Sequence, residues 1–208
     1  MSMSPGRDYK VESCVTSLAQ AIDAQSRGAD RVELCIRLET EGMTPDAELT
    51  KSLSDQLHIP VRVMVRATEA GYEADALALQ HMLESIHALK QLPLDGFVFG
   101  VMKDDRIDRD AMIRLLQHAY PFPVTFHKAI DISSDIPDDI EWLNQFSQID
   151  TILTSGGAIK AIDGVTGILE MKEMFRGNIM AAGKIIPEVL DVLHDQLGLQ
   201  WYHGRAIL

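Results

Sequence analysis

Hydrophobic and polar residues alternate with a period of two in short runs along the chain, and most runs are followed by a stretch with helical spacing. The clearest run is Pro121-Phe-Pro-Val-Thr-Phe-His127. Val124 and Phe126 fall on one face, Thr125 and His127 on the other. The two prolines suit the start of a strand, because proline cannot donate to a ladder inside a sheet. His127 is therefore predicted at the C-terminal end of a strand, on its polar face. Asp131 follows four residues later in a loop.

The same reading gives seven more strands, at 11–15, 31–36, 59–65, 95–101, 150–154, 178–182 and 199–203. Helices are predicted at 17–27, 44–57, 74–92, 108–120, 137–146, within 159–175, and at 187–197. Gly28 reads as a C-terminal cap. Thr44-Pro45 reads as a capping hydroxyl followed by proline in the first turn. Strands that alternate with helices make a parallel α/β fold. Eight such units closing on themselves make a (β/α)8 barrel of the TIM type, for which about 250 residues is typical. This chain has 208 and ends soon after His203, so the eighth helix is expected to be reduced or missing. An open doubly wound sheet is the rival, but it usually carries fewer strands. No shift in composition marks a linker, so residues 1–208 read as one domain with 1–9 as an N-terminal tail.

In such a barrel one strand face meets the surrounding helices and the other lines the axis. Val11, Val15, Val32, Leu34, Val61, Val63, Val65, Val124 and Phe126 share the apolar face. Glu12, Cys14, Glu33, Cys35, Arg62, Arg66, Thr125 and His127 then point inward. Barrel interiors are usually filled with bulky apolar side chains, so this one is unusually polar. Charges so placed must neutralise one another.

The net charge of −12 argues against nucleic-acid binding, which needs a basic surface. No run of about 18 apolar residues is present, so no membrane span is expected. The first ten residues lack the apolar core of a signal peptide. Two cysteines do not make a disulfide framework, and a reducing cytoplasm is the expected location.

Several inward residues carry chemistry. His127 is a candidate general acid or base. Asp131 is placed to orient it, and Arg66 to hold an anionic group. Glu33 joins these catalytic candidates, against the competing reading that Glu12, Glu33 and Arg62 form a structural ion-pair layer. The turns Ser155-Gly156-Gly157 and Gly183-Lys184 expose backbone N–H groups suited to a phosphate-type anion. Cys14 and Cys35 end neighbouring strands, so their thiols can meet, and soft Cu(I) prefers such ligands. A strand without its helix leaves apolar surface, which predicts a homodimer or cover from residues 1–9.

The ordered stretches Val11-Glu-Ser-Cys14, Gly28-Ala-Asp-Arg-Val-Glu-Leu-Cys35, Gly42-Met-Thr-Pro45, Val63-Met-Val-Arg66, Asp95-Gly-Phe-Val-Phe-Gly100, Pro123-Val-Thr-Phe-His127, Ala129-Ile-Asp131 and Thr154-Ser-Gly-Gly157 resemble the CutC copper homeostasis family. The resemblance covers about residues 9 to 204. It implies a barrel, a cytoplasmic location, a role in copper tolerance and Cu(I) binding, with the strand-end cysteines at Cys14 and Cys35. The chain departs from the family pattern at Ala67-Thr-Glu-Ala-Gly-Tyr72, at His127-Lys128-Ala-Ile-Asp131 and at Ala181-Ala-Gly183-Lys184. The alternative reading is a barrel enzyme using acid–base chemistry on a small anionic or phosphorylated substrate.

Overall fold

The computed structural model describes residues 7–69 and 71–208. The strands are β1 (Lys10–Val15), β2 (Arg31–Leu34), β3 (Val61–Met64), β4 (Gly96–Phe99), β5 (Met102–Lys103), β6 (Arg106–Ile107), β7 (Val124–Phe126), β8 (Ile149–Thr154), β9 (Asn178–Ala181) and β10 (Trp201–Gly204). Eight of them close a barrel in the order β1-β2-β3-β4-β7-β8-β9-β10, with β10 pairing back onto β1. Every barrel pair is parallel. β5 and β6 form a separate antiparallel hairpin.

The helices are α1 (Leu18–Ser26), α2 (Ala47–Gln56), α3 (Ala76–Leu89), α4 (Arg109–Ala119), α5 (Ile136–Leu143), α6 (Val165–Met174) and α7 (Pro187–Leu197). Four of them start on an aspartate whose carboxylate accepts a backbone N–H of the first turn: Asp46, Asp75, Asp108 and Asp135. Such caps satisfy donors that the helix itself leaves open. Asp46, not Thr44, therefore caps α2. The Thr44 hydroxyl instead donates to Arg66 O at 2.9 Å and accepts from Arg66 N at 2.8 Å, which pins the end of β3.

The alternation of each strand separates two environments. Val11, Val32, Val63, Phe97 and Phe126 belong to the large cluster shared with the helices. Inside the barrel, Cys14, Cys35, Met64 and Val98 form one small cluster, and Leu153, Met180 and Ala182 another. Glu12, Glu33, Arg62, Thr125 and His127 are all buried. The polar axis read from the alternation is thus observed. Its charges pair in a different way: Arg31 bonds Glu12, while Arg62 grips Asp150 through two parallel bonds of 2.6 and 2.8 Å and reaches Asp95 at 3.1 Å. A fork of this kind matches a carboxylate in geometry as well as charge.

No helix follows β10 among the described residues. Tyr202 is nevertheless fully buried. Tyr9 packs on it with ring centroids 5.3 Å apart, and His194 of α7 packs against both rings. Tyr9 also donates to Asp191 at 2.9 Å. Part of the expected N-terminal cover is therefore present at residue 9; residues 1–6 of the expected tail lie outside the described residues. Trp201 stacks beneath Arg31 and Lys10 at the N-terminal end of the barrel. Among the described residues, no helix is long and apolar enough to cross a membrane.

Candidate functional site

The C-terminal ends of the barrel strands surround a pocket of about 290 Å³. Its lining includes Cys14, Glu33, Met64, His127, Lys184 and His203. These residues come from six strands or the turns that follow them, so only barrel closure brings them together.

Cys14 and Cys35 are both buried. Parallel pairing sets Cys14 opposite Glu33 and Val15 opposite Leu34, and the pleat turns both cysteines to the axis. Their sulfurs stand 3.5 Å apart. Met64 packs in the same cluster. The hydrogen bond with Cys35, with burial added, pushes the Cys14 thiol well above its ordinary range. Without a ligand, Cys14 therefore keeps its proton.

A charged group lies beside the sulfurs. His203 Nδ1 is 2.9 Å from Glu12 Oε1 and 3.8 Å from Glu33 Oε2. Burial pushes the Glu12 carboxyl up, but Arg31 and His203 outweigh it and hold the group down to about 2. Burial disfavours a charged His203, yet Glu33 and Glu12 together raise it. Glu33 has less support. Burial leads, and its carboxyl is pushed up to about 7. Its Oε2 is buried and has no hydrogen-bond partner. Cys14, Glu33 and His203 each bring a donor atom within 4.8 Å of the others.

His127 sits just past β7. Its Nδ1 accepts the Ala129 N–H at 3.3 Å, so the ring proton belongs on Nε2. Burial first, and then Arg66, pull its pKa down to about 3, so the ring is neutral at physiological pH. Nε2 is buried and unpartnered. Gly100 permits this placement: a Cβ there would come within 3.0 Å of the imidazole.

Asp131 does not orient His127. Its carboxylate accepts from Thr154 Oγ1, from Ser155 N and Oγ at 2.9 and 2.8 Å, and from Gly157 N at 3.1 Å. The turn read as an anion cradle is thus filled by the chain's own carboxylate, while Gly156 N donates to Thr154 Oγ1. Arg66 also differs from its expected role. Its guanidinium donates to the carbonyls of Thr40, Gly42 and Gly71 and lies 5.3 Å from the Tyr72 ring centre. Arg66 clasps the loops after β2 and β3 instead of facing the pocket. Gly183 and Lys184 do line it, Lys184 in a left-handed conformation with φ of 53°.

Arg31 is not a candidate on the sequence alone, and His203 reads there only as added charge beside the Gly183-Lys184 turn. Arg31 shares the strand alternation of Glu33, which was a usable signal. The contact of His203 with Glu12 spans 191 positions and depends on β10 closing onto β1.

A model of the CutC family matches residues 9–208. The chain belongs to the CutC family. A Caenorhabditis elegans relative described as a copper homeostasis protein cutC homolog is 33% identical over 210 residues, which cover 96% of this chain and 81% of the relative. The human cutC homolog is 31% identical, over 95% of this chain and 73% of its own. A solved CutC structure from Streptococcus agalactiae superposes with a TM-score of 0.91 at 28% identity, covering 96% of this CutC-family chain and all of the other. A dihydrodipicolinate synthase from Bacillus anthracis, 11% identical with a TM-score of 0.67 over 95% of this chain and 70% of its own, shares the fold alone.

Proposed function

We propose that this CutC-family chain serves copper homeostasis by holding Cu(I) between Cys14 and Cys35 in the reducing cytoplasm. The observation that carries the reading is the 3.5 Å separation of two buried sulfurs at the barrel mouth. Cys14 and Cys35 would hold the ion, since their sulfurs are near enough for one soft ion to reach both. Soft thiolate and thioether donors favour Cu(I) over harder ions, and Met64 offers a thioether in the same cluster. The names of the relatives support the same reading.

Thiols must lose their protons to ligate, so loading releases protons. Competition against a chromogenic Cu(I) chelator under reducing conditions tests the proposal. Wild type is expected to withdraw one equivalent of copper, and Cys14→Ser or Cys35→Ser to lose at least tenfold in affinity. Unchanged stoichiometry and affinity in both variants would remove the reading.

A further inference from the structure

We infer that the mouth pocket binds a small sugar phosphate, with its phosphate between Lys184 and Arg205 and its sugar oxygens against His127 and Glu33. This goes beyond copper handling and uses neither cysteine.

Three observations carry the inference. The first is charge. The chain has a net charge of −12, yet Lys128, Lys184 and Arg205 all line this one pocket. Lys184 and Arg205 are exposed and have no ion-pair partner among the described residues. Lys128 lies 4.0 Å from an Asp131 oxygen, whose carboxylate is already held by the turn after β8. Unpaired cations gathered on an acidic protein concentrate anions at that place.

The second is position. Gly183 and Lys184 follow β9, and Arg205 follows β10. These are the seventh and eighth strands of the barrel, whose following turns are a recurrent phosphate position in this architecture.

The third is the pair of buried polar atoms that no protein group satisfies, Glu33 Oε2 and His127 Nε2. An unpaired buried polar group is costly. His127 Nε2 carries a proton, because Nδ1 already accepts the Ala129 N–H. Gly100 packs against the Nδ1 and Cε1 edge of the ring, and His127 is among the residues that line the pocket. A donor from the protein and an acceptor from the protein suit a ligand that carries both carbonyl and hydroxyl oxygens. A cavity of about 290 Å³ limits that ligand to a small molecule.

Isothermal titration of the metal-free, reduced protein with ribose 5-phosphate, ribose and inorganic phosphate tests the inference. Ribose 5-phosphate is expected to bind saturably, and each of the other two at least tenfold more weakly. The double variant Lys184→Ala/Arg205→Ala, altered only at exposed positions, is expected to weaken ribose 5-phosphate binding at least tenfold. His127→Phe, checked for folding by circular dichroism, is expected to weaken ribose 5-phosphate more than inorganic phosphate. Cys35→Ser, which removes a proposed copper ligand outside the pocket lining, is expected to bind ribose 5-phosphate within twofold of wild type, which separates this result from the copper reading. Absence of saturable ribose 5-phosphate binding, equal affinity for inorganic phosphate, or unchanged affinity in Lys184→Ala/Arg205→Ala overturns it.

Discussion

Glu33 Oε2 stands 3.8 Å from His203 Nδ1, and no hydrogen bond reaches it. One buried imidazole lies between two carboxylates, and its direct hydrogen bond goes to Glu12. Glu33 is left as the weaker acid, pushed up to about 7 chiefly by burial.

That relationship sets a pH dependence. A carboxyl raised from 4.5 to about 7 holds its proton more tightly in the folded chain than in the unfolded one. Its contribution to stability is present below pH 4.5 and is lost as pH rises through 7. His203, also raised, acts in the same direction. Glu33→Gln is therefore expected to be more stable than wild type at pH 8, by up to about 3 kcal/mol, and to flatten the decline between pH 5 and 8. Denaturant midpoints measured across that range check it. A variant less stable than wild type at pH 8 would contradict the burial argument.

Arg66 joins two loops through three backbone carbonyls. A lysine cannot span that set, because it lacks the planar fork. Arg66→Lys is expected to cost about 2 to 4 kcal/mol, in line with the loss of charge-assisted bonds. Hydrogen exchange should rise at the loops of Gly42 and Gly71 and stay unchanged in β9. Uniform protection across both loops would show that the clasp does not hold them.

Tyr9 covers Tyr202 where a helix after β10 would otherwise lie. Tyr9→Ala is expected to destabilise the chain by about 2 kcal/mol through lost packing and the bond to Asp191. If residues 7–9 are sufficient cover, size-exclusion chromatography of wild type gives a monomer and the variant tends to associate. A stable wild-type dimer would return the missing cover to a second copy of the chain.

The barrel was legible because its alternation is strong. Val61, Val63 and Val65 against Arg62 and Arg66 separate the two faces. The meeting of Cys14 with Cys35 was legible too, since neighbouring parallel strands bring equivalent ends together. What alternation does not encode is the partner of each inward group. Asp131 lies close to His127 along the chain, but the turn after β8 offers it two N–H groups and two hydroxyls, and that set wins. Arg66 stands at a strand end, as read, yet the open carbonyls of two flanking loops take its guanidinium. His203 entered the site through barrel closure, which no local pattern records. Local periodicity thus set the frame, and competition among buried polar groups decided the roles.

In the proposed copper site, two sulfurs, from β1 and from the turn after β2, hold the ion. X-ray absorption at the copper edge, on reduced protein loaded with one equivalent of Cu(I), tests this directly. At least two sulfur scatterers are expected in wild type and one fewer in Cys35→Ser. A first shell built only from nitrogen and oxygen, or one unchanged when Cys14 and Cys35 are both replaced by serine, would contradict it.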